Sequence, residues 1–129
     1  MERDATIIIK EHKDGEISLV TTGKVLRIGK SINVFYNQEN ASYAVGVSEG
    51  IVTIKRESDE DYTLVLQEGV ESKLSVQTPF GVLSFKVFPK KVYFEERENG
   101  IFVELLYYIS GGTGAPEKFS LILECRYEK

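Results

Sequence analysis

The 129-residue chain holds one cysteine, one histidine, three prolines and no tryptophan. A single thiol, Cys125, cannot close an internal disulfide, which fits a reducing compartment, the cytoplasm. A single imidazole, His12, cannot complete a zinc site of His and Cys ligands, and no catalytic triad can be assembled around it. No apolar run approaches the ~20 residues of a membrane-spanning helix. The start, Met1-Glu2-Arg3-Asp4, leads into Ile7-Ile8-Ile9, too short and too acidic for the apolar region of a signal peptide. Sixteen basic residues stand against 20 acidic ones, for a net charge of -4, and no basic stripe is present. Neither nucleic acid nor a membrane is therefore expected as a partner.

Helical periodicity is also missing. Apolar and polar residues alternate instead with period two, as in Tyr62-Thr63-Leu64-Val65-Leu66-Gln67, Lys73-Leu74-Ser75-Val76-Gln77 and Phe119-Ser120-Leu121-Ile122-Leu123-Glu124. Successive strand side chains point to opposite faces, so the pattern predicts an all-β chain. Strands are expected at 5–12, 16–28, 31–38, 51–56, 62–68, 72–78, 82–88, 92–97, 101–109 and 119–127. The segment 39–50 is read as a short strand at 43–47 or a bent loop. Turns are expected at Lys13-Asp14-Gly15, Gly29-Lys30, Glu68-Gly69, Pro79-Phe80-Gly81, Pro89-Lys90 and Glu98-Asn99-Gly100. Gly23, inside a strand, is read as a bulge or bend that lets the sheet coil. No linker or repeat divides residues 1–129, so one domain is expected. No turn is long enough for a helical crossover. The expectation is a single antiparallel up-and-down β-barrel of about eight to ten strands, closed because closure removes exposed edges. A two-sheet sandwich is the alternative.

Motifs with chemistry are few. Lys24-Val25-Leu26-Arg27-Ile28-Gly29-Lys30-Ser31 has the end of a phosphate-binding loop but lacks its first glycine, and a strand rather than a helix is expected to follow. Ser110-Gly111-Gly112-Thr113-Gly114-Ala115 reads as a hairpin or rim flap. Glu57 to Asp61 reads as a solvated turn without the glycine of a calcium loop. Cys125 shares a face with Leu121 and Leu123, as a buried thiol does. No catalytic residue, metal ligand or cofactor is assigned. Seven tyrosines and seven phenylalanines remain.

Tyr36-Asn37-Gln38-Glu39, Thr78-Pro79-Phe80-Gly81 and Glu104-Leu105-Leu106-Tyr107-Tyr108 resemble the YwiB-like family of small bacterial proteins of unknown function. The shared order spans nearly the whole chain, and the Thr-Pro-aromatic-Gly turn is its most specific piece. The resemblance implies a calycin-like barrel akin to lipocalins and fatty-acid-binding proteins. It supplies no catalytic residues. The chain departs from the family at Gln38, where a glutamate is usual, and in its acidic run after Arg56.

The first functional expectation is a binding module with a small, largely apolar ligand inside the barrel. Its lining would include Tyr36, Gln38, Phe80, Tyr107 and Tyr108, the tyrosines offering an apolar face and an orienting hydroxyl. The second is a protein-interaction or dimerising scaffold with a solid core and no ligand, a homodimer being one form of it. The third is an enzyme with Glu39 or Glu104 as base and Tyr107 or Tyr108 as acid, which requires a glutamate pointing inward beside a tyrosine.

Overall fold

Ten strands make up the fold: β1 Glu2–Glu11, β2 Ile17–Ile28, β3 Ser31–Gln38, β4 Ala41–Ser48, β5 Ile51–Glu57, β6 Asp61–Gln67, β7 Ser72–Thr78, β8 Gly81–Arg97, β9 Gly100–Ser110 and β10 Glu117–Tyr127. The computed structural model describes residues 2–11, 17–111 and 114–128. Each strand lies antiparallel to the next, and β10 returns beside β1 to close the barrel. Short turns force this order, because a chain that reverses within two or three residues can only pair with itself antiparallel.

The period-two pattern sorts residues between an apolar interior and a polar wall. On β3, Ile32, Val34 and Tyr36 are buried while Phe35 and Asn37 are exposed. On β9, Ile101, Val103 and Leu105 are buried, with Phe102 and Glu104 on the opposite face. Ile7, Val52, Leu66, Val87, Val103 and Leu123 are each 0% exposed. Space large enough for one water molecule would expose them, so the middle of the barrel is solid. Truncating Leu66 to alanine should cost about 2–5 kcal/mol, from lost burial plus the cavity left behind. Its outward neighbour Val65, 40% exposed, should cost only about 0.5 kcal/mol on the same change. Urea melts of the two variants measure the difference, and equal losses would contradict the assigned faces.

The turns at 39–40, 58–60 and 79–80 share one rim, called here the upper mouth. Those at 29–30, 49–50, 68–71 and 98–99 share the lower.

Three expectations change. Residues 41–48 form a full strand, framed by two tight turns in which Glu39 and Glu49 take positive φ. Residues 82–88 and 92–97 belong to one long strand, β8. Pro89 does not turn the chain; it sits where the register slips between Pro89 and Lys91, and its carbonyl accepts from Gly69 N at 3.0 Å. A strand tolerates proline at such a slip because no ladder N–H is needed there. Gly23 is no bulge, since the irregularity between β1 and β2 falls at Ile9 and Lys10. A Cβ at Gly23 would instead run into the Phe35 carbonyl oxygen. The Asp14-Gly15 turn and His12 lie outside the described residues.

Candidate functional site

Hairpin register builds a belt of large polar side chains just inside the upper mouth. The turn at Glu39-Asn40 pairs Gln38 with Ala41, and so Tyr36 with Tyr43. The next ladders pair Tyr43 with Arg56 and Arg56 with Tyr62. Partners directly opposite share a face, so all four side chains point inward. Tyr36 and Tyr43 stack at 5.1 Å between ring centroids with planes 5° apart. Across the mouth, Tyr107 stacks on Phe119 at 5.6 Å and 11°. Around the upper end of the barrel, Leu19, Val76, Phe85, Ile109 and Leu121 are half-buried against the core.

Burial governs the tyrosine hydroxyls. It raises the pKa of Tyr36 first, and the nearby Tyr43, Tyr62 and Glu11 raise it further. Tyr62 is pushed up to about 12 by burial and by Tyr43, against a lowering by Arg56. Tyr107 is raised by burial, then by Tyr62 and Glu11. At neutral pH each therefore keeps its proton and can donate a hydrogen bond.

Arg56 is the cation of this belt. Its guanidinium lies 6.0 Å from the Tyr43 ring centroid. Nη1 donates to the Glu60 carbonyl at 3.3 Å and stands 3.6 Å from the Glu60 carboxylate. Its Nε is buried with no acceptor. Beside it, β6 and β7 pair only at Asp61–Gln77 and Tyr62–Val76. Below that point the seam is spanned by the Ser72 hydroxyl, which donates to the Val65 carbonyl at 2.9 Å. A cleft of about 540 Å³ runs along this part of the wall and reaches Arg56 and Tyr62.

Of the five residues expected to line a ligand site, the barrel gathers Tyr36, Gln38 and Tyr107 at the upper mouth. Gln38 is half-buried at the end of β3, on the same face as Tyr36. Phe80 is corrected: it is 100% exposed at the tip of the β7–β8 turn, outside the barrel. There Thr78 Oγ1 accepts from Phe80 N at 3.2 Å and donates to the Gly81 carbonyl at 2.8 Å, holding the ring in solvent. Tyr108 is corrected too. Alternation turns it to the outer wall, opposite Phe88. Tyr43, Arg56, Tyr62 and Phe119 were not singled out from the sequence, although the two-residue turn at 39–40 encodes the first pairing.

Glu104 faces outward and accepts from Lys91 Nζ at 2.9 Å, and Glu39 is an exposed turn residue. Neither shares the interior with Tyr107, so the acid and tyrosine pairing required for the enzyme reading is not formed. The lysine-rich segment at 24–31 is strand, tight turn and strand, with Ile28 opposite Ser31. In the acidic turn, Asp61 accepts from Ser58 N at 2.7 Å. Cys125 is buried, and burial, with a smaller contribution from Glu124, pushes its thiol up to about 12. No group of three metal-ligating residues occurs among the described residues.

A family profile described as a domain of unknown function, DUF1934, matches residues 4–123. The barrel is similar to the crystal structure of the ywiB protein from Bacillus subtilis, with a TM-score of 0.85 and 19% identity. That likeness covers 99% of this chain and 94% of the other. No curated protein matches the chain.

Proposed function

The chain belongs to the DUF1934 family, a domain of unknown function, and from that premise we propose that it is a binding protein holding a small, largely apolar molecule at the upper mouth of its barrel. The observation that carries this reading is the contrast along the barrel axis. The centre is closed by side chains at 0% exposure, while Tyr43, Tyr62, Tyr107 and Phe119 stay half-buried on the inward face above it. A concave aromatic surface with a few hydroxyls is the usual make-up of a small-molecule site. The ligand sits in the mouth rather than in the middle of the barrel. No helix among the described residues is long and apolar enough to cross a membrane. The outer wall carries Lys24, Lys55, Lys73, Lys91 and Glu104, the reverse of the apolar wall of a bilayer-spanning barrel, which supports an aqueous setting such as the cytoplasm.

Binding of a fluorescent apolar dye such as anilinonaphthalene sulfonate tests the site. Tyr107→Ala should weaken it about 3- to 10-fold, the cost of losing one aromatic contact. Phe80→Ala and Tyr108→Ala should leave it unchanged. Equal effects of all three variants would sink the mouth as the site.

A second reading is supported by the outer wall. Val20 is 59% exposed, while Phe88, 38% exposed, lies opposite the half-buried Tyr108. Val20, Phe88 and Tyr108 leave apolar surface that a second copy would cover in a homodimer. Native mass spectrometry of the full chain reads a retained small molecule and a doubled mass in one spectrum.

A further inference from the structure

We propose that a second copy of this chain docks on the free edge of β8 at the upper rim, the two β8 strands pairing antiparallel about a two-fold axis at Leu83. The inference rests on the homodimer reading and gives it an interface other than the outer-wall patch of Val20, Phe88 and Tyr108.

The β7–β8 hairpin outgrows the barrel. β7 pairs with β8 from Ser72–Val87 up to Thr78–Gly81, with no register shift. On the other side of β8 the ladder with β9 stops at Lys86–Ser110. Residues 81–85 therefore have a neighbouring strand on one side only. Among the described residues no other backbone group bonds to them. Leu83 shares the inward parity of Phe85 and Val87, yet it is 54% exposed, and Val82 on the opposite face is 63% exposed. With Phe80 fully exposed at the tip, apolar side chains flank the free edge on both faces.

Nothing in the sequence guards this edge. Proteins blunt such edges with charge, proline, a bulge or a cover. From Leu74 to Phe85 no residue is charged, and the one proline, Pro79, sits in the turn. The absence of charge suits self-pairing in particular, because like charges directly opposite one another destabilise a strand pair.

The direction of the backbone groups fits the same segment running the other way. The Gly81 carbonyl accepts from Thr78 Oγ1 at 2.8 Å and so points towards β7. Successive residues of a strand send their N–H and C=O to opposite sides, which turns those of Val82 and Ser84 to the free edge. In an antiparallel second copy, Val82 meets Ser84 and Ser84 meets Val82, and each pair exchanges both hydrogen bonds. Leu83 then lies opposite Leu83 of the second copy, in the kind of pair whose side chains approach most closely. Phe80 of one copy reaches the level of Lys86 of the other, an exposed cation for its ring. So short an edge stays below the ~800 Å² per partner of a stable interface, so the dimer is weak and forms as concentration rises.

Sedimentation velocity of the full chain from about 10 μM to about 1 mM tests the proposal over the range of a weak interface. The unaltered chain should pass from monomer to dimer. Leu83→Lys and Leu83→Glu, each at an exposed position, should stay monomeric alone, because the two-fold axis sets like charges opposite. An equimolar mixture of the two should dimerise about 10-fold or more tighter than either alone, as a repulsion becomes an attraction. Phe88→Ser should leave dimerisation unchanged. Both Leu83 variants dimerising as well as the unaltered chain overturns the edge and leaves the homodimer reading standing, as does loss of the dimer in Phe88→Ser alone. A mixture that stays monomeric overturns the register through Leu83. An unaltered chain that is monomeric throughout overturns both readings.

Discussion

Replacing Gly100 by alanine is expected to destabilise the protein by about 3 kcal/mol or more, the upper end of what overpacking costs. Gly100 opens β9, opposite Arg97 on one side and Arg126 on the other. A Cβ there would collide with the carbonyl oxygen of Cys125, lie 2.8 Å from its carbonyl carbon and 3.2 Å from the Arg126 Cα. All three are backbone atoms of β10, which cannot rotate away as a side chain can. That strand is fixed at the same place by Tyr127 N, which donates to the Asn99 carbonyl at 2.8 Å, and by Glu128 N, which donates to the Asp4 carbonyl at 3.0 Å. Relief therefore requires β10 to move off both β9 and β1, at the seam that closes the barrel. Gly46→Ala is the matched control. Its Cβ would meet only the Asn33 side-chain oxygen, at 3.0 Å, and that group can turn aside. The control should cost within about 1 kcal/mol. Guanidinium melts of the two variants give the comparison. Equal stabilities would mean that β10 does not press on Gly100 as described.

Gly100 also shows how local sequence signals and the fold part company. Asn99-Gly100 is a strong two-residue hairpin signal, because a glycine in the second turn position takes positive φ at no cost. The hairpin forms within the expected Glu98-Asn99-Gly100, but Glu98 and Asn99 alone occupy the turn, Arg97 pairs with Gly100, and Gly100 has no positive φ. The glycine answers to a long-range contact with β10, which no local pattern reveals. Gly23 repeats the lesson, its place set by the Phe35 carbonyl. The barrel itself was legible because alternation and short turns are local properties that jointly leave one topology. Tyr36 and Tyr107 lie at inward parity, which alternation alone assigns, and by the same parity Tyr108 beside Tyr107 must face outward. Phe80 was not legible, because a turn residue has no parity to assign it a face. Tyr43, Arg56 and Tyr62 needed register as well as parity. The turn at Glu39-Asn40 encodes the Tyr36–Tyr43 pair, but the three-residue bend before Asp61 admits more than one register for Arg56 and Tyr62.

Alkaline pH is expected to unfold the protein well before its surface groups would. Cys125 is held up to about 12 by burial, from an ordinary value of 9.0. Tyr62 is held up to about 12 from 10.0, again chiefly by burial, and Tyr36 and Tyr107 are raised for the same reason. Each of these groups is neutral when protonated, and the fold favours the neutral form. Above its ordinary value the unfolded chain releases the proton while the folded chain keeps it. The unfolded state then binds fewer protons, so stability falls as pH rises. The contribution is intact below pH 9, declines first through Cys125, and declines faster above pH 10 as the tyrosines join. Each group can contribute a slope of up to about 1.4 kcal/mol per pH unit. Cys125 and Tyr62 together can thus remove on the order of 4 kcal/mol by pH 11, a large part of the stability of an ordinary domain. Urea melts at pH 7, 9, 10 and 11 measure the decline, and tyrosine absorbance at 295 nm follows ionisation in the folded chain. Cys125→Ala should lower stability at neutral pH and remove the part of the decline that begins at pH 9, leaving the fall that the tyrosines add above pH 10. All seven tyrosines ionising together near pH 10 in the folded protein would contradict the buried belt. That result would also remove the protonated hydroxyls that the proposed binding at the upper mouth calls for.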